Sequence, residues 1–161
     1  MTTIRVARPA EYEAIGAMAV RAYTESGSQS AYADYVPALR DAADRAAKAE
    51  LLVAVDNDEV VGTVTLVRPG TAYTEVAQAG ELEFRMLAVA PEAAGNGIGQ
   101  QLVQAVIDRG RQEGVQRVVL CVREDATLAQ RLYRRLGFER LPDRDWYIAQ
   151  DVRLLAFAMD V

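Results

Sequence analysis

The chain has 161 residues, 51% of them hydrophobic and 25% charged, which suits one compact domain over residues 1–161 and excludes a disordered or fibrous protein. It contains no histidine and one cysteine, so the usual serine-hydrolase triad, an internal disulfide and a thiolate metal cluster are excluded, and no metal is expected. The formal net charge of −5 at pH 7 argues against a nucleic-acid partner, because phosphate neutralisation dominates that kind of binding.

The first part of the chain predicts a strand followed by two helices. Apolar and polar residues alternate over residues 4–8, and apolar positions then recur at helical spacing over residues 9–23. A loop over residues 24–30 leads to a second helix over residues 37–49. The chain start lacks the charged-then-apolar order of a signal peptide, and no apolar run is long enough to span a bilayer. We therefore expect no membrane partner and a cytoplasmic location.

The middle of the chain predicts a hairpin, a loop and a longer strand. Two apolar segments, residues 51–55 and 60–67, flank the turn Asp56-Asn57-Asp58, which is the pattern of a β-hairpin. Residues 68–80 have the composition of a loop, and residues 81–89 that of the next strand. A glycine run and a helix follow this strand.

The last third of the chain alternates strands and helices. A strand over residues 117–122 precedes a helix over residues 126–136. Two further strands, residues 138–141 and 152–159, flank a polar loop that contains Trp146. This order of elements predicts a mixed α/β fold of the α+β type, with a central mixed sheet and helices on both faces.

The glycine run after the strand at residues 81–89 is the most informative segment. Its sequence, Gly95-Asn96-Gly97-Ile98-Gly99, places three glycines just before a helix, where backbone amides can approach a ligand closely. The helix start adds roughly half a positive elementary charge, so the loop favours phosphate without a basic side chain. A simple tight turn is the alternative. A nucleotide-triphosphate loop would need Gly-Lys-Ser/Thr, and a dinucleotide fingerprint would need GxGxxG near the first strand, so neither fits.

Two separated motifs carry a resemblance to a known family. The first is Val89-Ala90-Pro91 followed by Ala94-Gly95-Asn96-Gly97-Ile98-Gly99, and the second is a helix that ends Leu132-Tyr133-Arg134-Arg135-Leu136-Gly137-Phe138. With the element order, they resemble the GNAT N-acetyltransferase superfamily across essentially the whole chain. The sequence departs from the family pattern at Ala94, usually Arg or Gln, and at Ala126, often Asn. The resemblance implies a single GNAT-type acyl-CoA N-acyltransferase domain with a sheet of six to seven strands.

The resemblance implies that acetyl-CoA is the co-substrate. The backbone of the strand end would pair with the pantetheine arm, and the glycine loop would hold the pyrophosphate. A basic side chain, Arg134 or Arg135, would contact the 3′-phosphate. The coenzyme residues implied in this way are Leu87, Ala88, Val89, Ala94, Gly95, Asn96, Gly97, Ile98, Gly99, Gln100 and Arg134. Ala94 lacks the side-chain contact of the family, which leaves the backbone contacts.

The chemistry needs a base and an acid, because an amine attacks a thioester only when neutral and the leaving thiolate must be protonated. By the resemblance, Tyr133 would be the general acid at the coenzyme sulfur, a role that suits a phenol with an ordinary pKa of about 10. Glu83 would be the general base, with Glu81 or a water-relayed base as alternatives. A solvated strand carboxylate paired with Arg85 is the structural alternative for Glu83. Strand alternation places Glu83 and Leu87 on one face.

The acceptor implied by the resemblance is a small-molecule or peptide amine. The negative net charge of the chain favours a cationic amine. Aromatic residues that would line its site are Tyr23, Tyr32, Tyr35, Tyr73 and Trp146. Two other functions stay open: an acyltransferase with another acyl chain or an oxygen acceptor, and a non-catalytic acyl-CoA binding or regulatory module. Ala94 and Ala126 motivate the second of these. Folds of this kind commonly form homodimers through their late strands.

Overall fold

A computed structural model describes residues 1–25 and 35–161 of the chain. Tyr32 and most of the predicted loop over residues 24–30 lie outside the described residues. The described residues group into two compact units, the first drawn from residues 1–66 and 86–105 and the second from residues 67–85 and 106–161. The single domain over residues 1–161 stays a prediction. None of the described helices combines the length and the apolar character that a membrane crossing requires.

The described residues confirm the mixed α/β class. The strands are β1 (Thr2–Val6), β2 (Glu50–Asp56), β3 (Glu59–Val67), β4 (Glu81–Val89), β5 (Arg117–Arg123), β6 (Glu139–Arg140), β7 (Trp146–Ala149) and β8 (Val152–Asp160). The α-helices are α1 (Tyr12–Glu25), α2 (Val36–Arg40), α3 (Ala42–Lys48), α4 (Ile98–Glu113) and α5 (Thr127–Arg135). The described residues thus form eight strands, where six to seven were expected.

The first unit contains the predicted hairpin. β1 pairs antiparallel with β2, and β2 pairs antiparallel with β3. Asn57 and Asp58 form the turn between β2 and β3, with φ of 51° and 63° in the left-handed region that these residue types tolerate. Apolar side chains pack together in its core; they include Ala7, Ile15, Ala42, Leu51 and Val53. The hairpin prediction is confirmed.

The second predicted helix is divided in two. The pattern predicted one helix over residues 37–49, but the backbone leaves the helical conformation at Asp41, with φ −86° and ψ 68°. The Asp41 carboxylate accepts a hydrogen bond of 3.1 Å from the N–H of Asp44 and so caps α3. Buried Arg45 donates to two carbonyl oxygens in α2 at 2.7 Å each. The single-helix prediction was wrong because a capping aspartate competes with helix continuation.

The second unit contains the later strands. The first three residues of β4 pair in parallel with β5, and β5 pairs antiparallel with β8. Both β6 and β7 also pair with β8. Trp146 therefore lies in a strand, which corrects the prediction of a polar loop at this position. The missed signal is Asp151, whose φ of 63° makes the tight turn between β7 and β8.

Strand β4 changes conformation at Met86. Its φ of 56° lies in the left-handed region, which is uncommon for a residue with a side chain. We expected Glu83 and Leu87 to share one face because side chains alternate along an extended backbone. The left-handed conformation at Met86 interrupts this alternation, so the expectation no longer follows. Among the described residues, the ladder between β4 and β5 ends with the pair Glu83 and Val119. Residues 87–89 follow the change at Met86.

Candidate active site

The glycine loop lies in the first unit, between β4 and α4. Gly95 and Gly97 have φ of 85° and 76°, and a Cβ added at either position would meet no atom within 4 Å. The backbone conformation, and not crowding, therefore requires glycine here. Residues 94–97 are exposed, and the Asn96 side chain donates a hydrogen bond of 3.1 Å to the Ala93 carbonyl. The loop has the open, left-handed geometry that suits an anion cradle.

Close packing fixes the start of α4 behind this loop. Ile98 and Leu102 are buried, and a Cβ added at Gly62 of β3 would come within 2.9 Å of each side chain. The N–H of Gln101 donates to the Gly97 carbonyl at 3.0 Å. Because the first N–H groups of a helix have no partner within it, the start of α4 offers donors next to the loop.

The residues predicted to pair with pantetheine form the end of β4. Ala88 is buried, whereas Leu87 and Val89 are half-buried. The N–H of Ala90 donates to the Val61 carbonyl at 2.9 Å, which holds the end of β4 against β3. The predicted coenzyme residues 87–89 and 94–100 thus belong to the same unit.

The Glu83 carboxylate is enclosed in the second unit. Its exposed fraction is 0%, which contradicts the alternative of a solvated strand carboxylate. The N–H groups of Glu75, Val76 and Ala77 donate to its oxygens at 3.0 to 3.3 Å. The guanidinium of Arg85 contacts Glu75 at 2.9 Å. The loop before β4 therefore wraps around Glu83, and Glu75 is a charged residue of this region that the sequence analysis missed.

Burial raises the pKa of Glu83 above its ordinary value of 4.5. The three backbone hydrogen bonds oppose this shift, and the negative charge of Glu75 adds to it. A carboxyl group whose pKa moves toward the working pH is a stronger base than an ordinary glutamate. This direction suits Glu83 as a proton acceptor.

Changing Glu83 to glutamine should remove a pH-dependent loss of stability. The pKa of Glu83 is higher in the folded protein than in the unfolded protein, so protonated Glu83 stabilises the fold. This stabilisation is complete below pH 4.5, and it is lost as the pH rises through the folded pKa. The free energy of unfolding of the native protein should therefore fall, relative to that of Glu83→Gln, as pH rises. Urea titrations of both proteins from about pH 4.5 to about pH 8 measure this difference. A difference that is constant over this range would contradict the shift.

Glu81, the alternative base, is held in ion pairs. It is 5% exposed, and Arg144 contacts its two oxygens at 2.5 and 3.0 Å, with Arg117 at 3.3 Å. Burial by itself would raise the pKa of Glu81, but the hydrogen bonds from Arg144 and the backbone and the charges of Arg144 and Arg117 lower it overall. A carboxylate with two arginine partners and a lowered pKa is a poor proton acceptor.

Tyr133 lies in an aromatic cluster of the second unit. Its ring centroid is 5.7 Å from that of Phe84, the residue after Glu83, in an edge-to-face arrangement. Phe138 and Phe157 lie at 6.1 and 6.5 Å. The residue is only 6% exposed, so its ring is fixed by packing from several sides.

The other predicted site residues are distributed over both units. The rings of Tyr23 and Tyr35 lie 5.8 Å apart in the first unit. In the second unit, Arg134 is exposed with its guanidinium 5.5 Å from the centre of the Phe157 ring. Trp146, in the second unit, is half-buried, and its buried indole Nε1 has no hydrogen-bond partner among the described residues. Their roles in binding stay predictions.

Comparison with known proteins gives a consistent set of matches. A model of the acetyltransferase (GNAT) family matches residues 12–138. The chain is 36% identical over 91 residues to N-alpha-acetyltransferase 30 of Schizosaccharomyces pombe, covering 55% of this chain and 56% of that protein. It is 32% identical over 120 residues to mycothiol acetyltransferase of Saccharopolyspora erythraea, covering 74% of this chain and 37% of the relative. The chain thus spans only part of the length of both relatives.

A solved structure shares the fold. The PaiA N-acetyltransferase from Thermoplasma acidophilum, in complex with coenzyme A, matches with a TM-score of 0.73. The sequence identity is 14%, and the match covers 97% of this chain and 98% of the other. At this identity the likeness concerns the fold.

Proposed function

Because the chain belongs to the acetyltransferase (GNAT) family, we propose that it transfers an acetyl group from acetyl-CoA to a primary amine. The glycine loop carries this proposal: Gly95 and Gly97 hold left-handed conformations in open space directly before the start of α4. Such a loop offers backbone N–H groups and the positive end of a helix to a diphosphate. The coenzyme A complex of a protein with the same fold supports this ligand class.

Coenzyme binding, in this proposal, uses mainly the backbone. The N–H groups of residues 94–100 hold the pyrophosphate, and residues 87–89 pair with the pantetheine arm. The methyl group of Ala94 cannot donate a hydrogen bond. The loop therefore depends on the backbone around its glycines more than a loop with arginine or glutamine at this position would. Arg134, whose exposed guanidinium lies 5.5 Å from the centre of the Phe157 ring, contacts the 3′-phosphate.

Proton transfer, in this proposal, uses two residues of the second unit. Glu83 accepts a proton from the acceptor ammonium, directly or through a relay, and its burial supports this role by raising its pKa. Tyr133 gives a proton to the leaving thiolate. The packing of Tyr133 on Phe84 supports a fixed position for the phenol near the strand that carries Glu83.

We propose an α-amino group as the acceptor. One relative is named as an N-alpha-acetyltransferase, and the acidic charge balance of this chain suits a cationic amine. We propose Tyr23, Tyr35 and Trp146 as residues that contact the acceptor. A homodimer stays a prediction.

A thiol-release assay tests this function. Purified protein receives acetyl-CoA with one amine at a time: short peptides with a free N-terminal alanine, serine or methionine, spermidine, glucosamine, and lysine blocked at its α-amine. Release above the amine-free rate supports the proposal, and preference for the peptides supports an α-amine acceptor. Release only with other acyl-CoA donors or with alcohols identifies the alternative acyltransferase. Coenzyme binding with no release in any reaction contradicts the proposal and favours a binding module.

A further inference from the structure

The Glu83 carboxylate has no solvent-exposed surface. Its exposed fraction is 0%, and its oxygens accept three backbone N–H groups. Peptide N–H groups donate hydrogen bonds, but they do not carry protons from a substrate to a carboxylate. A neighbouring side chain that accepts protons would connect this enclosed carboxylate to the acceptor.

Among the described residues, two side chains that carry a carboxylate or a thiol lie next to the Glu83 carboxylate, and one of them suits this task. Oxygen atoms of Glu75 and Glu83 and the sulfur of Cys121 all lie within 4.8 Å of one another. The Cys121 thiol donates to Oε1 of Glu75 at 3.2 Å, and burial together with Glu75 raises the pKa of Cys121 far above its ordinary value. The thiol therefore keeps its proton. The Glu75 side chain is 14% exposed, so it has access that Glu83 lacks.

The charged groups around Glu75 hold it in place. The Nε of Arg85 lies 2.9 Å from Oε1 of Glu75, and Nη1 of Arg85 donates to the Tyr73 carbonyl at 3.0 Å. Arg144 donates to the Val76 carbonyl at 3.1 Å but pairs with Glu81. With both carboxylates ionised, Glu75 and Glu83 carry two negative charges against the one positive charge of Arg85. A proton or a cationic amine would balance the remaining charge.

We propose that Glu75 relays the proton from the acceptor ammonium to Glu83. This inference rests on the proposed amine acetylation. An N–H bond of the ammonium breaks as an O–H bond forms on Glu75, and the proton then passes to an oxygen of Glu83, which restores the Glu75 carboxylate. The neutral amine attacks the thioester carbon, the C–S bond breaks, and the nitrogen gives its second proton to water as the amide forms, while Tyr133 protonates the departing sulfur. Tyr133 then takes a proton from water, and Glu83 returns its proton to water through Glu75, which restores the starting state. The overall reaction yields amide, free thiol and one released proton.

The variant Glu75→Gln tests this relay with little change in structure. Its amide oxygen still accepts from Arg85 and Cys121, but the side chain no longer accepts a proton. With acetyl-CoA and a peptide with a free N-terminal alanine, we expect kcat/KM to fall about 10- to 100-fold. The pH at which the rate rises should also move down, because removal of the neighbouring negative charge makes Glu83 easier to ionise. Glu75→Asp should recover part of the rate.

The double variant provides the sharpest measurement. If Glu75 and Glu83 act in series, Glu75→Gln combined with Glu83→Gln should be no slower than the slower single variant. If the rate loss of the double variant equals the product of the two single-variant losses, the relay is overturned. A Glu75→Gln enzyme with the native rate and pH profile would overturn it as well. The exposed carboxylate Glu139 of β6 provides a matched control, since Glu139→Gln should keep the native rate. Native protein that releases no thiol with any amine would instead overturn the proposed function itself.

Discussion

Replacement of Tyr133 by phenylalanine is expected to lower kcat by about 10²- to 10⁴-fold, because general acid catalysis contributes an acceleration of this size. The change removes only the hydroxyl group. The ring contacts with Phe84, Phe138 and Phe157 are kept, so the variant should stay folded. Single-turnover thiol release with a saturating amine measures the chemical step separately from product release.

Two controls separate chemistry from folding in this experiment. The urea midpoint of Tyr133→Phe should lie close to that of the native protein, and its affinity for coenzyme A should be unchanged. The exposed phenol Tyr147 of β7 provides a matched variant, since Tyr147→Phe should keep the native rate. A native rate for Tyr133→Phe at every pH would remove Tyr133 from the mechanism.

Replacement of Gly97 by valine should weaken coenzyme A binding by about 10- to 100-fold, which corresponds to the loss of one charge-assisted hydrogen bond. A valine at φ 76° is strained, so the loop should leave the conformation that directs its N–H groups at the pyrophosphate. The added side chain also occupies the open space beside the loop. Calorimetric titration of coenzyme A into both proteins gives the two affinities.

A second glycine of the chain provides the matched control. Gly114 follows α4 with φ 72°, and a Cβ there also meets nothing within 4 Å. Gly114→Val should therefore carry a similar backbone cost without affecting the ligand. Equal affinities in the Gly97 and Gly114 variants would mean that the loop does not bind the pyrophosphate.

The position of the glycine loop could be predicted because its backbone conformation depends on single residues. A backbone that must take left-handed conformations needs glycine, so Gly95 and Gly97 identify the loop without any knowledge of its neighbours. Strand β4 was predicted with its observed bounds, Glu81–Val89, because it combines an apolar character with clear flanking loops. In both cases local sequence decides local structure.

The surroundings of Glu83 could not be predicted in the same way. Its hydrogen-bond donors come from a loop six to eight residues earlier, and that loop carries no periodic pattern that would indicate where it folds. The proposed role of Glu75 depends on this loop and on Cys121 in another strand. The left-handed conformation at Met86 and the helix break at Asp41 were not predicted for a related reason. Each departs from a pattern that the neighbouring residues follow.

The raised pKa of the half-buried Cys121 thiol has a practical consequence for the thiol-release assay. Cys121 is the one cysteine of the chain, and its surroundings keep it protonated at neutral pH. Colorimetric thiol reagents react with thiolates. The free thiol of released coenzyme A should therefore give the coloured product, while Cys121 contributes almost no background. The same protection should let the enzyme tolerate alkylating reagents and mild oxidants that inactivate proteins with ionised cysteines.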